Sequence, residues 1–355
     1  MTVAYKQKKY LSNTPFAEAL SIYNEALKAA NIGNHLPGER VAISDALGRV
    51  TSEAVIAKIS SPFYHSAAMD GYAVKFIDTF GAAETRPKRL KTPLQAVAVD
   101  TGDPMPDGFD AVIMIEDVEK VSESEIEILK AATPWQHVRL VGEDIVATEL
   151  IISENHVIRP VDMAAMIASG HKTVMVRKRP RIAVIPTGTE LVEPGSDLKR
   201  GDIIDFNSTM LSAMATECGA ASARKKIVKD DAALLKRTIL EAAAENDLVV
   251  INAGSSAGRE DFTAHVLADI GKVHVHGVNI KPGKPVILAI VQGKPVIGIP
   301  GYPVSAALTF NLFVKPVLYA LQGRPVPPVD TITAKLSRQV ASSLGQEEFV
   351  RVNLG

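Results

Sequence analysis

The stretch "DLVVINAGSSAGRED", residues 247–261, sets a short β-branched run directly before a loop of glycine and serine and then a charged helical start. An apolar run that ends in such a loop reads as a buried strand feeding a helix. The same pattern recurs on either side. "RIAVIPTG" at 181–188 precedes a helix expected over 207–218, and "ASARKKIV" at 221–228 precedes one over 231–245. A helix over 260–270 follows the quoted loop, then "KVHVHGVNI" at 272–280, two more strands and a helix over 303–320. Such alternation predicts a mainly parallel sheet covered on both faces. "GKPVI" occurs at 283 and again at 293, which reads as the two strands of a hairpin and not as a domain repeat.

Outward from this region the texture changes. Residues 14–32 suit an amphipathic helix, with Thr14 as its cap, Pro15 in its first turn and Gly33 at its end. From about 39 to 160 the chain gives runs such as "RVAIS", "AVIAKIS", "LQAVAVD", "DAVIMIEDV" and "EIEIL" between Pro, Gly and Asp turns, a mostly β pattern. "DMAAMIASG" at 162–170 closes it as a short helix, and "GRPVPPVDT" at 323–331 is a Pro-rich linker before a further β segment. The expected plan is multidomain α/β plus β. A discontinuous helical and linking part covers 1–48 and 146–180, an inserted β-rich domain 49–145, and an α/β domain 181–322. Residues 323–355 would begin a C-terminal β domain that looks unfinished, since so few residues cannot bury a core.

A chain of 355 residues exceeds what one core usually supports, so several domains are expected. Its 39 basic and 40 acidic residues leave no global field to recruit nucleic acid or membrane, and 5% aromatics give little stacking surface. "KQKK" at 6–9 reads as a solvated terminus. Cys218 is the single cysteine and sits in an apolar pattern, so it reads as core; a reducing, cytoplasmic setting fits. The first thirty residues lack a signal-peptide apolar region, and the run "VILAIV" is far too short to span a bilayer.

In an open α/β sheet ligands bind beyond the carboxyl ends of the strands. There this sequence is unusual: "TGTEL" with Thr187, Gly188 and Glu190; "NAGSSAGRED" with Gly254, Ser255, Ser256, Gly258 and Asp261; "KPGKP"; and "PGYPVS" with Pro300, Gly301, Pro303 and Ser305. Glycine lets backbone amides approach an anion, and amides at a helix start carry partial positive charge. Prolines stiffen the turn that carries Lys281 and Lys284, which makes it a preorganised site for a small oxyanion; a solvated hairpin turn is the bland alternative. In the β region, "SPFYHSAAMDGYAV" places Asp70 beside Gly71 at an expected hairpin corner, and Thr101, Asp103, Asp110, Glu116, Asp117, Glu143 and Asp144 lie nearby in sequence. So many carboxylates need a cation before an oxyanion can approach. A magnesium ion held by carboxylate and phosphate oxygens answers this and points to a phosphate-bearing substrate. His274 and His276 share one strand face, where solvation is the default reading. No Walker loop or H-E-x-x-H helix occurs.

The motifs "SAAMDGYAV", "TGDPMPDGFDAVIMIED", "GEDI", "PTGTELVEPG", "GDIIDFNSTML", "NAGSSAGREDF", "KPGKP" and "PGYPVSAA" occur in an order that resembles the molybdopterin molybdenumtransferases, the MoeA family that includes the E domain of gephyrin. The likeness runs from about 14 to 353. It implies an enzyme that takes adenylylated molybdopterin and molybdate, or tungstate, releases AMP with magnesium, and stands downstream of a molybdopterin adenylyltransferase. It also implies a homodimer whose site is shared, with Asp70 opposite Lys281. By matching motif, Asp70, Thr101, Asp144, Glu190 and Asp261 resemble the active-site set, with Asp230 or Asp231 as a further member. Asp70, Glu190 and Asp261 would hold magnesium. Lys281, Lys284 and Ser305 resemble the oxyanion side, and Ser255 and Ser256 part of the pterin-phosphate cradle, with Arg351 retained. The chain departs from the family at Ala253-Gly254-Ser255-Ser256, at Tyr302 where Asn is usual, and in stopping at Gly355. The alternative reading is a pterin-binding scaffold without turnover, as the gephyrin relative suggests.

Overall fold

The computed structural model describes residues 14–32, 35–253 and 257–353, the side chains of 257–261 aside. "KQKK" and Gly33 lie outside the described residues. The chain clusters into two compact units: one holds residues up to Glu39, Gly48–Ser52 and everything from Val176 on, and the other holds Arg40–Leu47 and Glu53–Met175.

In the second unit, strand Gly71–Val74 lies between Ala96–Val99 and Ala111–Met114, antiparallel to both. Lys88–Lys91, Glu125–Ile128 and Val118–Ser122 form another three-stranded sheet. The period of two in "EIEIL" turns Ile126 and Ile128 inward, where they join Val74, Leu90 and Ile113 in one buried cluster. Gly71 is not a hairpin corner but the first residue of the central strand, paired with both Val99 and Met114. Its need for glycine is steric: a Cβ there would fall 2.0 Å from the Ile113 carbonyl oxygen.

The first unit carries a six-stranded sheet in the order Ala221–Arg224, Arg181–Pro186, Leu248–Ala253, Lys294–Pro300, Ile287–Val291, Lys272–His276. The first four strands are mutually parallel, and Ile287–Val291 alone runs against them, pairing antiparallel with both Lys294–Pro300 and Lys272–His276, so the sheet is mainly parallel as expected. The second "GKPVI" copy opens strand Lys294–Pro300, but the first precedes its hairpin partner Ile287–Val291 and reaches it only at Ile287, so the repeated letters are not the paired strands themselves. Alternate residues of each strand face opposite layers. Ile182, Val184, Leu248, Val250, Ile297 and Ile299 pack with Leu211, Phe310, Phe313 and Leu318 on one face. Ala183, Ile185, Val249, Ile251 and Val296 pack with Leu235, Ile239 and Leu267 on the other. Cys218 is buried in the first of these layers, and burial raises its thiol pKa.

Local expectations shift at helix ends. The first helix runs Phe16–Ala29 with Pro15 at its N-cap and no side-chain cap; Thr14 instead bridges by its backbone to Val278. The helix after the quoted loop starts at Ala257, earlier than periodicity suggests. The last helix, Pro303–Leu321, contains a π-turn over Phe310–Val314. It is long and apolar enough to cross a membrane, yet Phe310, Phe313, Val314 and Leu318 sit in the core of this unit. Glu347–Glu348 pairs in parallel with Ile280–Lys281, outside the main sheet.

Gly71→Ala is expected to cost at least about 2 kcal/mol, because backbone meets Cβ and neither can yield. Chemical denaturation should show the loss; a variant within about 0.5 kcal/mol of the parent would contradict the packing described.

Candidate functional site

The carboxyl ends of strands Arg181–Pro186, Leu248–Ala253 and Lys294–Pro300 open onto a cavity of roughly 190 Å³. Thr187, Glu190, Asn207, Asn252, Gly301, Tyr302 and Pro303 line it, together with Ile203, Ile204 and Phe206. This is where an open α/β sheet places its ligands, since the loops leaving the strands there carry free amides and helix starts. Thr187, Glu190, Gly301 and Pro303 were expected from the sequence and do meet here; Pro300 ends the neighbouring strand.

Asn252 organises the floor. Its backbone carbonyl accepts from the Thr187 amide at 2.9 Å and hydroxyl at 3.3 Å, its Nδ2 donates to the Pro300 carbonyl at 3.0 Å, and its Oδ1 accepts from Asn207 Nδ2 at 3.2 Å. Asn207 Nδ2 also donates to the Gly301 carbonyl at 2.6 Å. Asn207 Oδ1 is buried and accepts no hydrogen bond, a costly state that a donor-bearing ligand would relieve.

Beside it Asp205 is buried at 2% exposure and is fully engaged. It accepts from the Ser208 amide and hydroxyl, and from Arg224 Nη2 at 2.8 Å and Nε at 3.1 Å, while Arg224 also bonds Glu193 at 2.6 Å. This network fixes the start of helix Asn207–Glu217, and so aims Asn207 at the cavity. In the motif "GDIIDFNSTML", neither Asp205 nor Asn207 was expected to take part in the site. The available signal was a polar Asp-x-Asn triplet directly before a helix.

The other expected residues fall in several places. A Cβ on Gly188 would meet the Glu190 carboxylate at 3.0 Å, so that carboxylate lies against the Gly188 backbone. Asp231 caps helix Ala232–Glu245 by accepting from the Leu234 amide, whereas its neighbour Asp230 accepts from the Thr189 hydroxyl at 2.7 Å, next to Glu190. Ser305 is buried in the first turns of the last helix. Gly254, Ser255 and Ser256 lie outside the described residues, and Gly258 and Asp261 sit on helix Ala257–Ile270 with their side chains outside them.

The Lys281–Lys284 turn is not the bare pair of ammonium groups its prolines suggest. Lys281 Nζ lies 2.9 Å from Glu348 Oε1, and that hydrogen bond lowers the Glu348 pKa against the opposing effect of burial. Among the described residues Lys284 makes no ion pair. Arg351 lines an apolar hollow of roughly 420 Å³ with Met210, Pro282, Val304, Phe349 and Pro303; Pro303 also lines the first cavity.

In the other unit, Asp70 and Thr101 are joined. Asp70 Oδ1 accepts from the Thr101 amide at 2.7 Å and hydroxyl at 2.8 Å, and the amide bond first, then the hydroxyl bond, hold Asp70 below the usual carboxylate range. Asp70 is thereby kept ionised. Asp144 is engaged differently, both its oxygens 2.7 Å from Arg139 Nη2.

The family described as the MoeA N-terminal region (domain I and II) matches residues 14–170, and the probable molybdopterin binding domain matches residues 183–320. A putative molybdopterin biosynthesis protein of Methanocaldococcus jannaschii is 35% identical over 331 residues, covering 89% of this chain and 81% of that one. Molybdopterin molybdenumtransferase 2 of Mycobacterium tuberculosis is 31% identical over 335 residues, covering 88% and 82%. A crystal structure of the molybdopterin biosynthesis MoeA protein from Pyrococcus horikoshii superposes with a TM-score of 0.74 at 37% identity, covering 85% of this chain and 80% of that one.

Arg224→Met would leave Asp205 buried without its cation, and is expected to lower unfolding stability by about 3 kcal/mol. Denaturant titration checks this. A loss below about 1 kcal/mol would show that the Ser208 bonds alone satisfy Asp205.

Proposed function

The chain belongs to the MoeA family of molybdopterin molybdenumtransferases, enzymes of molybdenum cofactor biosynthesis, and on that premise we propose that it inserts molybdate, or tungstate by the same chemistry, into adenylylated molybdopterin with magnesium-dependent release of AMP. The observation that carries the reading is the cavity at the strand ends, lined by Asn207, whose buried Oδ1 has no hydrogen-bond partner. A pterin presents an aminopyrimidine edge of N–H donors beside a carbonyl acceptor. Asn207 can accept from that edge, and apolar Ile203, Ile204 and Phe206 can cover the ring faces.

The oxyanion falls to the ammonium groups of the 281–284 turn. Lys284, which makes no ion pair among the described residues, supplies positive charge. Ser305 would add a hydroxyl donor, and Arg351 a guanidinium in the adjoining hollow.

Magnesium keeps few protein ligands and takes the rest from phosphate and water. Among the described residues no group of three His, Cys, Asp or Glu side chains could hold a metal ion. Single carboxylates such as Glu190 at the cavity and the clamped, ionised Asp70 instead suit an ion that arrives with the substrate's phosphates. Glu190, Asp70 and Asp261 are the residues that would hold it. When bound, such an ion draws charge from the phosphoanhydride as it breaks. Thr101 holds Asp70 in its ionised, oriented state for that role.

The reading includes a homodimer in which Asp70 of one protomer works opposite the Lys281 turn of its partner. It also includes a cytoplasmic setting and an upstream adenylyltransferase that supplies the substrate.

Incubation with adenylylated molybdopterin, magnesium and molybdate should release AMP in a molybdate-dependent manner. Lys284→Ala and Asp261→Ala should each lower the rate at least about tenfold, the scale of losing one preorganised charge contact. Tight pterin binding with no AMP released by the parent protein would leave a binding scaffold and overturn the enzymatic reading.

A further inference from the structure

The contact between Lys281 and Glu348 joins parts of the chain far apart in sequence, and it is built. Glu348 lies on the two-residue strand Glu347–Glu348, in parallel register with Ile280–Lys281. The Glu347 amide donates to the Asn279 carbonyl at 2.9 Å, and the Phe349 amide to the Lys281 carbonyl at 2.8 Å. Phe349 anchors this strap by an edge-to-face contact with Phe16, 6.1 Å between centroids, and Phe16 packs the same way on Phe313 at 5.8 Å. The Glu348 side chain is 16% exposed and the Lys281 side chain 56% exposed. The carboxylate is therefore fixed by its backbone, while the ammonium it holds remains accessible to solvent. Such a pair is replaceable: an incoming anion can take the ammonium without moving the strap.

We propose that Glu348 is an internal counter-ion that competes with the oxyanion for Lys281, so that the strap sets the affinity and charge selectivity of the 281–284 turn. The inference rests on the reading above that this turn takes the oxyanion. Before the oxyanion arrives, Glu348 cancels one of the two ammonium charges, and the turn presents Lys284 alone. Singly charged anions then meet a site of net charge near one. A dianion such as molybdate has the charge to draw Lys281 away from Glu348 and to engage both ammonium groups. Glu348 is thus a positioning and selectivity residue, acting on the oxyanion through Lys281.

The test is molybdate binding, by calorimetry with molybdate alone, for the full chain and for Glu348→Gln, Lys281→Met, Lys284→Met and the Lys281→Met/Glu348→Gln double variant. Glutamine keeps the shape and the backbone pairing of the strap; a thermal melt of Glu348→Gln, with Glu348→Ala as a second substitution, separates a folding defect from a charge effect. Releasing a partly exposed ion pair should tighten molybdate binding of Glu348→Gln about two- to fivefold at low salt. The gain should shrink at about 1 M salt, where the screening length falls to about 3 Å. It should also be absent in the Lys281→Met background, and a monoanion such as perrhenate should gain no more than molybdate. A folded Glu348→Gln that binds molybdate no better than the parent, while Lys281→Met binds it worse, overturns the counter-ion role and leaves the oxyanion turn standing. If Lys281→Met and Lys284→Met both bind molybdate like the parent, the turn is not the oxyanion site and the proposal falls with it.

Discussion

A single buried amide, Asn252, holds the candidate site together. It is the penultimate residue of the Leu248–Ala253 strand, at 4% exposure, and reaches three neighbours: the Thr187 segment after one adjacent strand, Pro300 at the end of the other, and Asn207 at the start of a helix. These bonds pair groups that would otherwise be buried unsatisfied at the carboxyl ends of the strands, where the backbone ladder gives out. The strand ends are thereby fixed relative to one another. The loops beyond them inherit that order, and the cavity they line follows from satisfying these polar groups at the strand ends.

Much of this was legible in the sequence because strand periodicity and burial on two faces leave a strong mark. The runs "RIAVIP", "DLVVINA" and "KPVIGIP" became neighbouring parallel strands, and the loops after them converge as the strand–loop–helix pattern predicts. The residues that went unassigned are those whose role is relational. Asp205 and Asn207 look like ordinary helix-start residues until Arg224, Asn252 and Gly301 are placed beside them. Asp231 is a helix cap and Asp230 the one that reaches the Thr189 hydroxyl, a distinction that two adjacent identical letters cannot convey. Gly71 was legible as special but for another reason: not a corner, but a close crossing over the Ile113 carbonyl.

The charge balance is also finer than composition suggests. Several carboxylates are held by partners within the same unit: Asp144 by Arg139, Asp205 by Arg224, Asp162 by Arg159 and His156. Paired acids of this kind repel an approaching anion far less than bare ones, because the nearby guanidinium cancels most of their field. The acids that stand apart from such cancellation are therefore the informative ones. Asp70 is the clearest, since two bonds from Thr101 stabilise its charge without adding a cation. Lys284 is its counterpart on the basic side.

The most direct measurement is a crystal structure of the protein with molybdopterin bound. The account predicts the aminopyrimidine edge within hydrogen-bonding distance of Asn207 Oδ1, in the cavity bounded by Thr187, Glu190 and Tyr302. A pterin seated elsewhere, with the Asn207 carbonyl still unpartnered, would contradict it.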